Sequence, residues 1–367
     1  MKKICHMTSA HPVKDIRIFY KECATLSTKG YNVFLIAYGD EITEQGISVM
    51  SAGTVYDSRL KRMLCAGKKV YRKALELDAD VYHFHDPELL PYGLKLKKKG
   101  KHVIYDSHED VPRQILAKTW IPAPIRKLVS QCYERYEKYV ARQLDFVITA
   151  TDHIKNIFEK YGCRVESVKN YPLLDDIQCN NANYLERNSI LCYAGGITEQ
   201  RGITNILKAI ENLDVELDMA GEVESGYREQ LETMKGWNHV NYLGYLDRKG
   251  INDLYNKSRI GLVILKDTPN HRYSLPIKMF EYMAAGIPVI ASDFPLWKRI
   301  IDEVQCGICV DPENISSIRS AMHQLLTKEN IAKKMGEKGR KAVCDTYSWN
   351  IEAEKLLNIY KRIVKGN

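Results

Sequence analysis

The fold is decided by a stretch in the second half of the chain, residues 274–293, which reads SLPIKMFEYMAAGIPVIASD. Ser274 is placed to cap a helix whose first turn accepts Pro276, so that free backbone N–H groups and the positive end of the helix dipole point outward there. Gly286 is placed to end that helix, and residues 287–291 form a short apolar run typical of a buried parallel strand. The stretch therefore predicts a helix–strand unit of a parallel α/β sheet.

The same helix carries residues that indicate a ligand. Lys278 and Glu281 are three positions apart and share a helix face. A helix N-terminus that can hold phosphate, with a cation and a carboxylate behind it, favours a phosphorylated, hydroxyl-rich ligand such as a sugar nucleotide. An ordinary helix–strand unit with surface charges is the alternative.

Length and composition limit the class of protein. At 367 residues, the chain is longer than one hydrophobic core usually organises, so two domains are expected. A composition of 45% hydrophobic and 27% charged residues is ordinary for a globular protein, and no run of eighteen apolar residues predicts a membrane span. The first apolar segment is too short for a signal peptide, so we expect a cytoplasmic location.

Alternating apolar runs and amphipathic segments predict an α/β fold. In the first half, strands are predicted over residues 4–7, 33–37, 81–85, 103–106 and 146–150, and helices over 15–29, 66–77 and 125–143. In the second half, strands are predicted over 190–193, 216–220, 240–243 and 261–265, and helices over 202–212 and 348–364. This alternation predicts two doubly wound, Rossmann-like domains that face each other across a cleft.

A polar segment, residues 170–189, is interrupted by Pro172 and is predicted to link the two domains. The first domain is therefore placed at residues 1–175 and the second at residues 186–347.

Basic residues are concentrated in the first domain. Residues 1–170 hold 29 Lys and Arg against 20 Asp and Glu, whereas the remainder holds 25 against 26. The excess lies in the amphipathic RLKRMLCAGKKVYRK (residues 59–73) and in KLKKKGK (residues 95–101). This half suits an anionic membrane surface, and a merely solvated face is the alternative. Nucleic-acid binding is not predicted, because no recognition motif accompanies the charge.

Polar residues follow the predicted strands, where open parallel sheets bind ligands. In the first domain, the candidates are His11, Asp15, Arg17, His85, Asp86, His108 and Glu109. In the second domain, they are Gly196, Arg201, Glu222, Tyr245, Ser274, Leu275, Lys278 and Glu281.

Metal-binding alternatives are weaker. The D-x-D at residues 78–80 precedes its strand, so both carboxylates are expected at the wrong edge of the sheet. A zinc site is conceivable if the strand stays regular, with ligands from His83, His85, Asp86 and His108.

Other cofactor motifs are missing from the sequence or incomplete. Cys306 and Cys309 form a C-x-x-C without a second pair, so the ten cysteines are interpreted as small core residues. Neither the G-x-G-x-x-G of a dehydrogenase nor a P-loop occurs.

Several motifs, in order along the chain, resemble the retaining family 4 (group 1) glycosyltransferases of the GT-B fold, especially bacterial surface-polysaccharide enzymes. The most specific are PIKMFEYMAAGIPVIASD (276–293), HFHDPELLP (83–91) and YDSHED (105–110). Weaker ones are YAGGITEQRG (193–202), AGEVE (220–224) and CGICVDP (306–312). The resemblance implies transfer of a sugar from a nucleoside-diphosphate sugar with retained anomeric configuration, without an essential metal or other cofactor.

The resemblance also implies where the substrates bind. The first domain would take a glycan or lipid-linked acceptor at the inner face of the membrane, where the protein would be peripheral. The second domain would take the nucleotide sugar. The C-terminal helix, within residues 348–367, would cross back to pack on the first domain.

Roles carry over from the family residue by residue. Glu281 resembles the second glutamate of the E-x₇-E motif, which holds the ribose hydroxyls. Arg201 matches the basic residue that neutralises the diphosphate leaving group. His108 matches the histidine that contacts the transferred sugar, and Glu222 lies in the loop near the donor.

Three positions depart from the family pattern. The first glutamate of E-x₇-E falls at Tyr273. The arginine after the first strand of the second domain falls near Gly196, and Lys278 is expected to supply that cation from the facing helix. The loop Ser9-Ala10-His11 lacks the family's glycine pair. Two alternatives therefore stay open, a nucleotide-sugar 2-epimerase of the same fold and a non-catalytic sugar-nucleotide or polysaccharide-binding protein.

Overall fold

A computed structural model of the chain describes residues 1–54, 59–118, 121–177, 184–187 and 190–365, without the side chains of residues 59–61, 63, 64 and 365. The chain divides into two compact units. The first unit comprises Met1–Asn170 together with the segment from Asn350 onward, and the second unit is Tyr171–Trp349. Each unit is a Rossmann-like α/β domain built on a parallel sheet, which confirms the predicted fold class.

The first unit is built on an eight-stranded sheet with the order β3-β4-β2-β1-β5-β6-β7-β8. Its strands are β1 (Lys3–Met7), β2 (Asn32–Ala37), β3 (Ile42–Glu44), β4 (Ile47–Ser51), β5 (Val81–Phe84), β6 (His102–Ser107), β7 (Phe146–Thr149) and β8 (Val165–Ser167). Neighbouring strands run parallel, apart from the antiparallel pair β3/β4 at one edge. The sequence did not predict this edge pair or β8, since each of β3, β4 and β8 is short and only partly apolar.

Helices cover the first sheet. They are α1 (Ala24–Thr28), α2 (Arg59–Leu77), α3 (Leu90–Lys98), α4 (Val111–Ala117), α5 (Ala123–Ala141) and α6 (Asp152–Tyr161). A π-helix, Ile16–Cys23, precedes α1 where a single α-helix was predicted. Asp15 caps it by accepting hydrogen bonds from the backbone N–H groups of Arg17 and Ile18. π-Helical turns are rare and are frequent at functional sites.

The second unit is built on a six-stranded parallel sheet with the order β11-β10-β9-β12-β13-β14. Its strands are β9 (Ile190–Ala194), β10 (Glu216–Ala220), β11 (Val240–Gly244), β12 (Ile260–Val263), β13 (Val289–Ser292) and β14 (Gly307–Val310). Its helices are α7 (Ile203–Ile210), α8 (Tyr227–Glu232), α9 (Arg248–Lys257), α10 (Pro269–Arg272), α11 (Ile277–Ala284), α12 (Pro295–Val304), α13 (Ile315–Thr327) and α14 (Glu329–Asp345). The strand interiors are buried, as the apolar runs predicted.

In each sheet, the strand order reverses at one topological switch point. It lies between β1 and β5 in the first unit and between β9 and β12 in the second. The loops after these strands diverge there and leave a crevice at the carboxyl edge of the sheet. The candidate residues therefore belong to two comparable places, one in each unit.

The last helix, α15 (Trp349–Lys365), belongs almost entirely to the first unit. Its Glu352 accepts a hydrogen bond from the backbone N–H of Lys169 (3.0 Å). Its Tyr360 is buried, and the hydroxyl lies 2.9 Å from Nδ1 of His83. Over the described ranges, we find no helix with the length and apolar character needed to span a membrane.

The expected linker differs from the structure in its described parts. Tyr171, Ile177 and Tyr184 are buried in the core of the second unit. The backbone carbonyl of Asp176 also accepts a hydrogen bond from the Asn252 side chain (2.8 Å). The segment was predicted to be a linker because most of its residues are polar and one is proline. A few apolar side chains are nevertheless enough to pack it against the second unit.

The predicted cap of α11 is wrong. The helix begins at Ile277, Pro276 occupies the N-cap position, and no side chain caps it. Ser274 instead donates its hydroxyl hydrogen bond to the carbonyl of His271 (3.0 Å). The cause is local, because a residue before proline is restricted to extended backbone and a helix cannot run through Leu275. The predicted end is correct, with Gly286 at φ 70°.

Candidate active site

In the first unit, a buried ion pair lies at the carboxyl edge of β6. Arg17, from the π-helix, donates to both carboxylate oxygens of Asp106, with Nε–Oδ2 at 2.9 Å and Nη2–Oδ1 at 3.0 Å. His108 Nε2 lies 2.9 Å from the same Oδ2 atom. Burial alone would raise the pKa of Asp106, but Arg17 and His108 hold it well below its usual value. Arg17 thus has a structural partner, while His108 remains partly exposed.

A second polar group surrounds the loop after β1. Thr8 and the Ser9 backbone N–H donate to Asp86 Oδ2 at 2.7 and 2.6 Å. His11 lies between Asp86 (Nε2–Oδ1, 3.5 Å) and Asp15 (Nδ1–Oδ2, 3.4 Å). Burial alone would raise the pKa of Asp15, but hydrogen bonds from His11 and from a backbone N–H lower it to about 2. The imidazole of His11, in the loop after β1, is about a third exposed.

Beneath these groups lies a fully enclosed set of side chains, which we name the buried cluster: His6, Glu22, His83 and His85. Oε2 of Glu22 lies 4.0 Å from His6 Nδ1, 3.9 Å from His83 Nδ1 and 3.9 Å from His85 Nε2. The rings of His83 and His85 stack with centroids 4.6 Å apart, so both point to the same side of the sheet.

Burial dominates the electrostatics of the buried cluster. It lowers the pKa of His6 and His83 well below the usual value, and the other imidazoles add to this shift. It raises the pKa of Glu22 well above its usual value, and the neighbouring Asp106 carboxylate adds to that shift. The imidazoles are therefore held neutral.

In the second unit, glycines bring two loops into close approach. Gly221 has φ 142°, and a Cβ there would lie 2.0 Å from the carbonyl oxygen of Gly195. Gly195 itself has φ 130°, and its hypothetical Cβ would lie 3.3 Å from Arg201 Nη1 and 3.4 Å from Lys278 Nζ. The space beside the Gly195 backbone, just after β9, is thus flanked by two cationic side chains.

Lys278 is the more unusual of the two cations. Its Nζ is buried and has no hydrogen-bond partner among the described residues. It lies 3.6 Å from the ring centroid of Tyr193, a cation–π contact. Burial, with Arg201 adding to it, lowers the pKa of Lys278 well below its usual value. A buried ammonium without an acceptor is costly, and an anion bound beside Gly195 would satisfy it.

Glu281 lies three residues along α11 and has protein partners. Its Oε1 accepts from Arg248 Nη1 (2.8 Å), and its Oε2 accepts from the hydroxyl of Tyr255 (3.0 Å). Each carboxylate oxygen can accept a second hydrogen bond, so the side chain is positioned and still able to bind hydroxyl groups.

The other predicted donor residues are more exposed. Glu222 is exposed in the loop after β10, and Tyr245 is 78% exposed after β11. Gly196 accepts a hydrogen bond from the Tyr193 hydroxyl (2.7 Å), and Leu275 is partly buried against the core of the second unit. In the first unit, Glu109 is exposed and bonded to Gln114, away from the buried groups.

The weaker metal predictions can be compared with the geometry. Asp80 binds the backbone N–H of Lys3 (2.8 Å) and Asp78 binds Lys101 (2.6 Å), so the D-x-D lies at the amino edge of the sheet, as expected. The predicted zinc set does not come together, because Asp86 is taken by Thr8 and Ser9.

Four residues of the first-unit site were missed by sequence reasoning: His6, Glu22, Asp106 as a central acceptor, and Tyr360. His6 lies inside an apolar strand run, and Tyr360 lies 277 residues after His83. A polar side chain inside an otherwise apolar run was the available signal for His6. No local pattern reports Tyr360.

Solved structures that are similar to the chain define the fold. Sucrose-phosphate synthase of Thermosynechococcus elongatus aligns over 100% of both chains with a TM-score of 0.81 and 16% identity. Anabaena HepE, in complex with UDP and glucose, aligns over 98% of this chain and 100% of its own with a TM-score of 0.74 and 13% identity. The chain therefore has the GT-B fold of glycosyltransferases.

The family follows from the sequence profiles. Residues 179–342 match "Glycosyl transferases group 1" and residues 17–170 match "Glycosyltransferase Family 4". The MMP α-(1→4)-mannosyltransferase of Mycolicibacterium hassiacum is 23% identical over 78% of this chain and 71% of its own length. A phosphatidyl-myo-inositol mannosyltransferase of Mycobacterium leprae is 23% identical over 83% and 79%. The chain belongs to the family 4, group 1 glycosyltransferases and is a sugar-transferring enzyme.

Proposed function

We propose that this glycosyltransferase moves a hexose from a nucleoside-diphosphate sugar to a lipid-linked glycan acceptor in cell-surface polysaccharide synthesis. In this proposal, the transfer retains the anomeric configuration and uses no metal ion at the diphosphate. The observation that carries the proposal is Lys278, a buried ammonium with no acceptor among the described residues, facing Arg201 across the Gly195 turn.

The chemistry explains why two cations suit this position. As the bond between the sugar and the diphosphate breaks, negative charge grows on the leaving oxygen. Preorganised cations in a site of low dielectric stabilise that charge without reorganising. Arg201 offers two parallel N–H donors to phosphate oxygens, while Lys278 acts as a point charge. Together they supply what a divalent cation supplies in metal-dependent transferases.

Glu281 fits the ribose end of the donor. Arg248 and Tyr255 fix its carboxylate, so the free lone pairs point in a defined direction. Tyr273, where the family has its first glutamate, is 44% exposed. We propose that this tyrosine alters the contacts to the donor sugar and thereby its identity.

In the first unit, His108 and His11 are the exposed ends of the polar network. We propose that they contact the transferred sugar and the acceptor hydroxyl. Asp106 and Asp86 hold the two rings from the buried side, which fixes their orientation before substrate binds.

Two surfaces of the first unit support a lipid-linked acceptor. Helix α2 presents exposed Lys68 and Arg72. Helix α5 presents a stripe of apolar side chains that are 38% to 58% exposed: Ile125, Leu128, Val129, Tyr136 and Tyr139. Cationic and apolar side chains on helix surfaces suit the headgroup region of an anionic bilayer.

The test is incubation with a panel of UDP- and GDP-linked hexoses, mannose included, with and without membrane extract as acceptor source. We expect that release of the nucleoside diphosphate depends on the acceptor. We also expect NMR to show that the product keeps the anomeric configuration of the donor. Donor epimerised without acceptor would instead indicate a 2-epimerase, and tight donor binding without turnover a binding protein. An inverted product would overturn the proposed stereochemistry.

Metal independence is tested in the same assay. Brief treatment with excess EDTA should leave the turnover unchanged, since side chains and not an exchangeable ion balance the diphosphate charge. Loss of turnover that returns with Mg²⁺ or Mn²⁺ would contradict this part of the proposal.

A further inference from the structure

The buried cluster has a composition that the proposed sugar transfer does not use. Its three imidazoles and one carboxylate are 0% to 3% exposed, so none of them can touch a substrate directly. One nitrogen from each histidine and one oxygen of Glu22 lie within 4.8 Å of one another. Three histidines with one carboxylate are a typical ligand set for a divalent transition metal, with zinc foremost.

The distances are near those of a tetrahedral site. With Zn–N bonds of about 2.0–2.1 Å, the ligand atoms of a tetrahedral zinc ion are about 3.3–3.4 Å apart. Here His6 Nδ1 and His85 Nε2 are 3.0 Å apart, and the three separations from Glu22 Oε2 are 3.9 to 4.0 Å. A contraction of about half an ångström around Glu22 would bring the three Glu22 separations to the tetrahedral value, and the two separations between His83 and the other imidazoles lie within 4.8 Å.

The outer nitrogens of two imidazoles already have the partners that metal ligands usually have. His85 directs Nε2 into the buried cluster and Nδ1 towards Asp106 Oδ2, at 3.3 Å. His6 directs Nδ1 inward, and its Nε2 lies 3.2 Å from the Tyr360 hydroxyl. Carboxylate or hydroxyl partners of this kind fix the tautomer and the ring orientation of metal-binding histidines.

A purely hydrogen-bonded network would leave polar atoms unsatisfied. Neither oxygen of Glu22 accepts a well-aligned hydrogen bond from the described residues, although Arg17 Nε lies 3.0 Å from Oε1. Nδ1 of His83, which faces Glu22, instead contacts the Tyr360 hydroxyl at 2.9 Å, and the ion would take the place of that contact. Fully buried carboxylate oxygens without donors are costly, and a cation held between Glu22 and the imidazoles removes that cost.

From these contacts, we propose that the buried cluster binds one Zn²⁺ ion in a closed, four-coordinate site. The site is structural and lies at the crossing of β1, β5 and the π-helix in the first unit. It is separate from the diphosphate position, which lies in the second unit, and the proposal does not depend on which sugar is transferred. Through His85 and Asp106, the ion holds the ring of His108, so His85 is a positioning residue.

The first experiment uses the wild-type chain, expressed without a histidine tag. Metal content is measured by inductively coupled plasma mass spectrometry, and the thermal midpoint is compared before and after exhaustive removal of metal by a strong chelator. We expect close to one zinc per chain, retained through gel filtration, and a lower midpoint after removal. Less than a tenth of an equivalent after incubation with excess Zn²⁺, with no change in midpoint, would overturn the proposal.

Ligand variants locate the ion. Glu22→Gln and His83→Gln keep the size of the side chain, and each should lower zinc affinity at least a hundredfold. Tyr360→Phe removes the hydroxyl that holds the outer nitrogen of His6 and should lower affinity about tenfold. His102→Gln changes a half-exposed histidine of the same unit, paired with Asp145, and should retain the zinc. Zinc retained in both Glu22→Gln and His83→Gln would place the ion elsewhere and overturn the assignment.

Cobalt substitution keeps the proposal testable if those variants fail to fold. The wild type loaded with Co²⁺ should show the visible absorption of a tetrahedral ion without sulfur-to-metal charge-transfer bands, because the ligands are nitrogen and oxygen. Charge-transfer bands would indicate binding to cysteines, such as the exposed Cys65 and Cys132, and would contradict the proposal. An octahedral spectrum would contradict the closed site.

Discussion

The two units place ionic side chains at the same point of the same topology, but they treat them differently. In the first unit, Arg17 has a bidentate partner in Asp106 and a further hydrogen bond to the carbonyl of Val168. In the second unit, Lys278 is buried beside Gly195 with no acceptor among the described residues. The position in the fold therefore marks a candidate site in each unit. The hydrogen-bond partners distinguish the paired Arg17 from Lys278, which has no acceptor among the described residues.

This difference predicts that replacing the paired Arg17 lowers the stability of the protein, whereas replacing the unpaired Lys278 raises it. Removing one member of a buried ion pair leaves its partner charged and unpaired, so Arg17→Met should lower the free energy of unfolding by about 3–5 kcal/mol. Chemical denaturation followed by circular dichroism measures this loss. The matched control is Arg113→Met, which breaks an exposed pair with Glu134 and should cost less than about 1 kcal/mol. Equal losses in the two variants would remove the distinction between the buried pair and a surface pair.

The second prediction concerns catalysis in the second unit. Arg201→Ala should raise the activation free energy by about 2–4 kcal/mol, because one preorganised donor to the leaving group is lost. Steady-state kinetics should show the effect mainly in kcat, with the thermal midpoint unchanged. Unchanged turnover in the variant would remove Arg201 from the site.

The third prediction uses the difference in charge between the units. Changing Lys68, Lys69, Arg72 and Lys73 to Glu should weaken binding to anionic vesicles at least tenfold at low salt, since each basic residue near the surface contributes about 1 kcal/mol. Co-sedimentation with phosphatidylglycerol vesicles measures this, and affinity for nucleotide should not change.

A matched control reverses four charges on α14 of the second unit: Lys333, Lys334, Lys338 and Arg340. It should leave vesicle binding intact. If the wild type binds neutral and anionic vesicles equally, the basic helix α2 is only solvated and the lipid-linked acceptor loses its support.

The smallest effect is a pH dependence. Burial lowers the pKa of Lys278 in the free protein, and a bound diphosphate favours the charged ammonium and raises it again. Binding therefore takes up a proton in the range between the two pKa values, and the affinity for UDP or GDP should fall severalfold as pH rises through that range. Calorimetry in buffers of different ionisation enthalpy detects the proton uptake. Release of a proton on binding would have the wrong sign.

Local patterns predicted much of the fold and only part of the site. Short apolar runs fixed most strands, and Gly286 fixed the end of α11. The prediction that Ser274 caps α11 was wrong, because Pro276 delays the start of the helix to Ile277. Glu281 and Arg201 were predicted from motifs, but Arg248, which holds Glu281, comes from another helix.

Long-range contacts explain the rest of what the sequence left out. Tyr360 contacts His6, which lies 354 residues away in the sequence, and no periodic sequence pattern predicts such a contact. Burial of a charge is also a property of packing and not of sequence. The Lys278–Glu281 spacing predicted a shared helix face, whereas the structure leaves Lys278 beside Tyr193 and pairs Glu281 with Arg248 and Tyr255.

The central claim is that Lys278 is kept buried and unpaired for a diphosphate, and Lys278→Met tests it most directly. Thermal unfolding and calorimetry with UDP, GDP and inorganic pyrophosphate are measured on the same sample, with the exposed Lys235→Met as control. Methionine fills the space without a charge, so we predict a higher thermal midpoint than wild type together with at least tenfold weaker binding of all diphosphates. A lower midpoint with unchanged diphosphate affinity would show that Lys278 is a structural residue and would contradict the account.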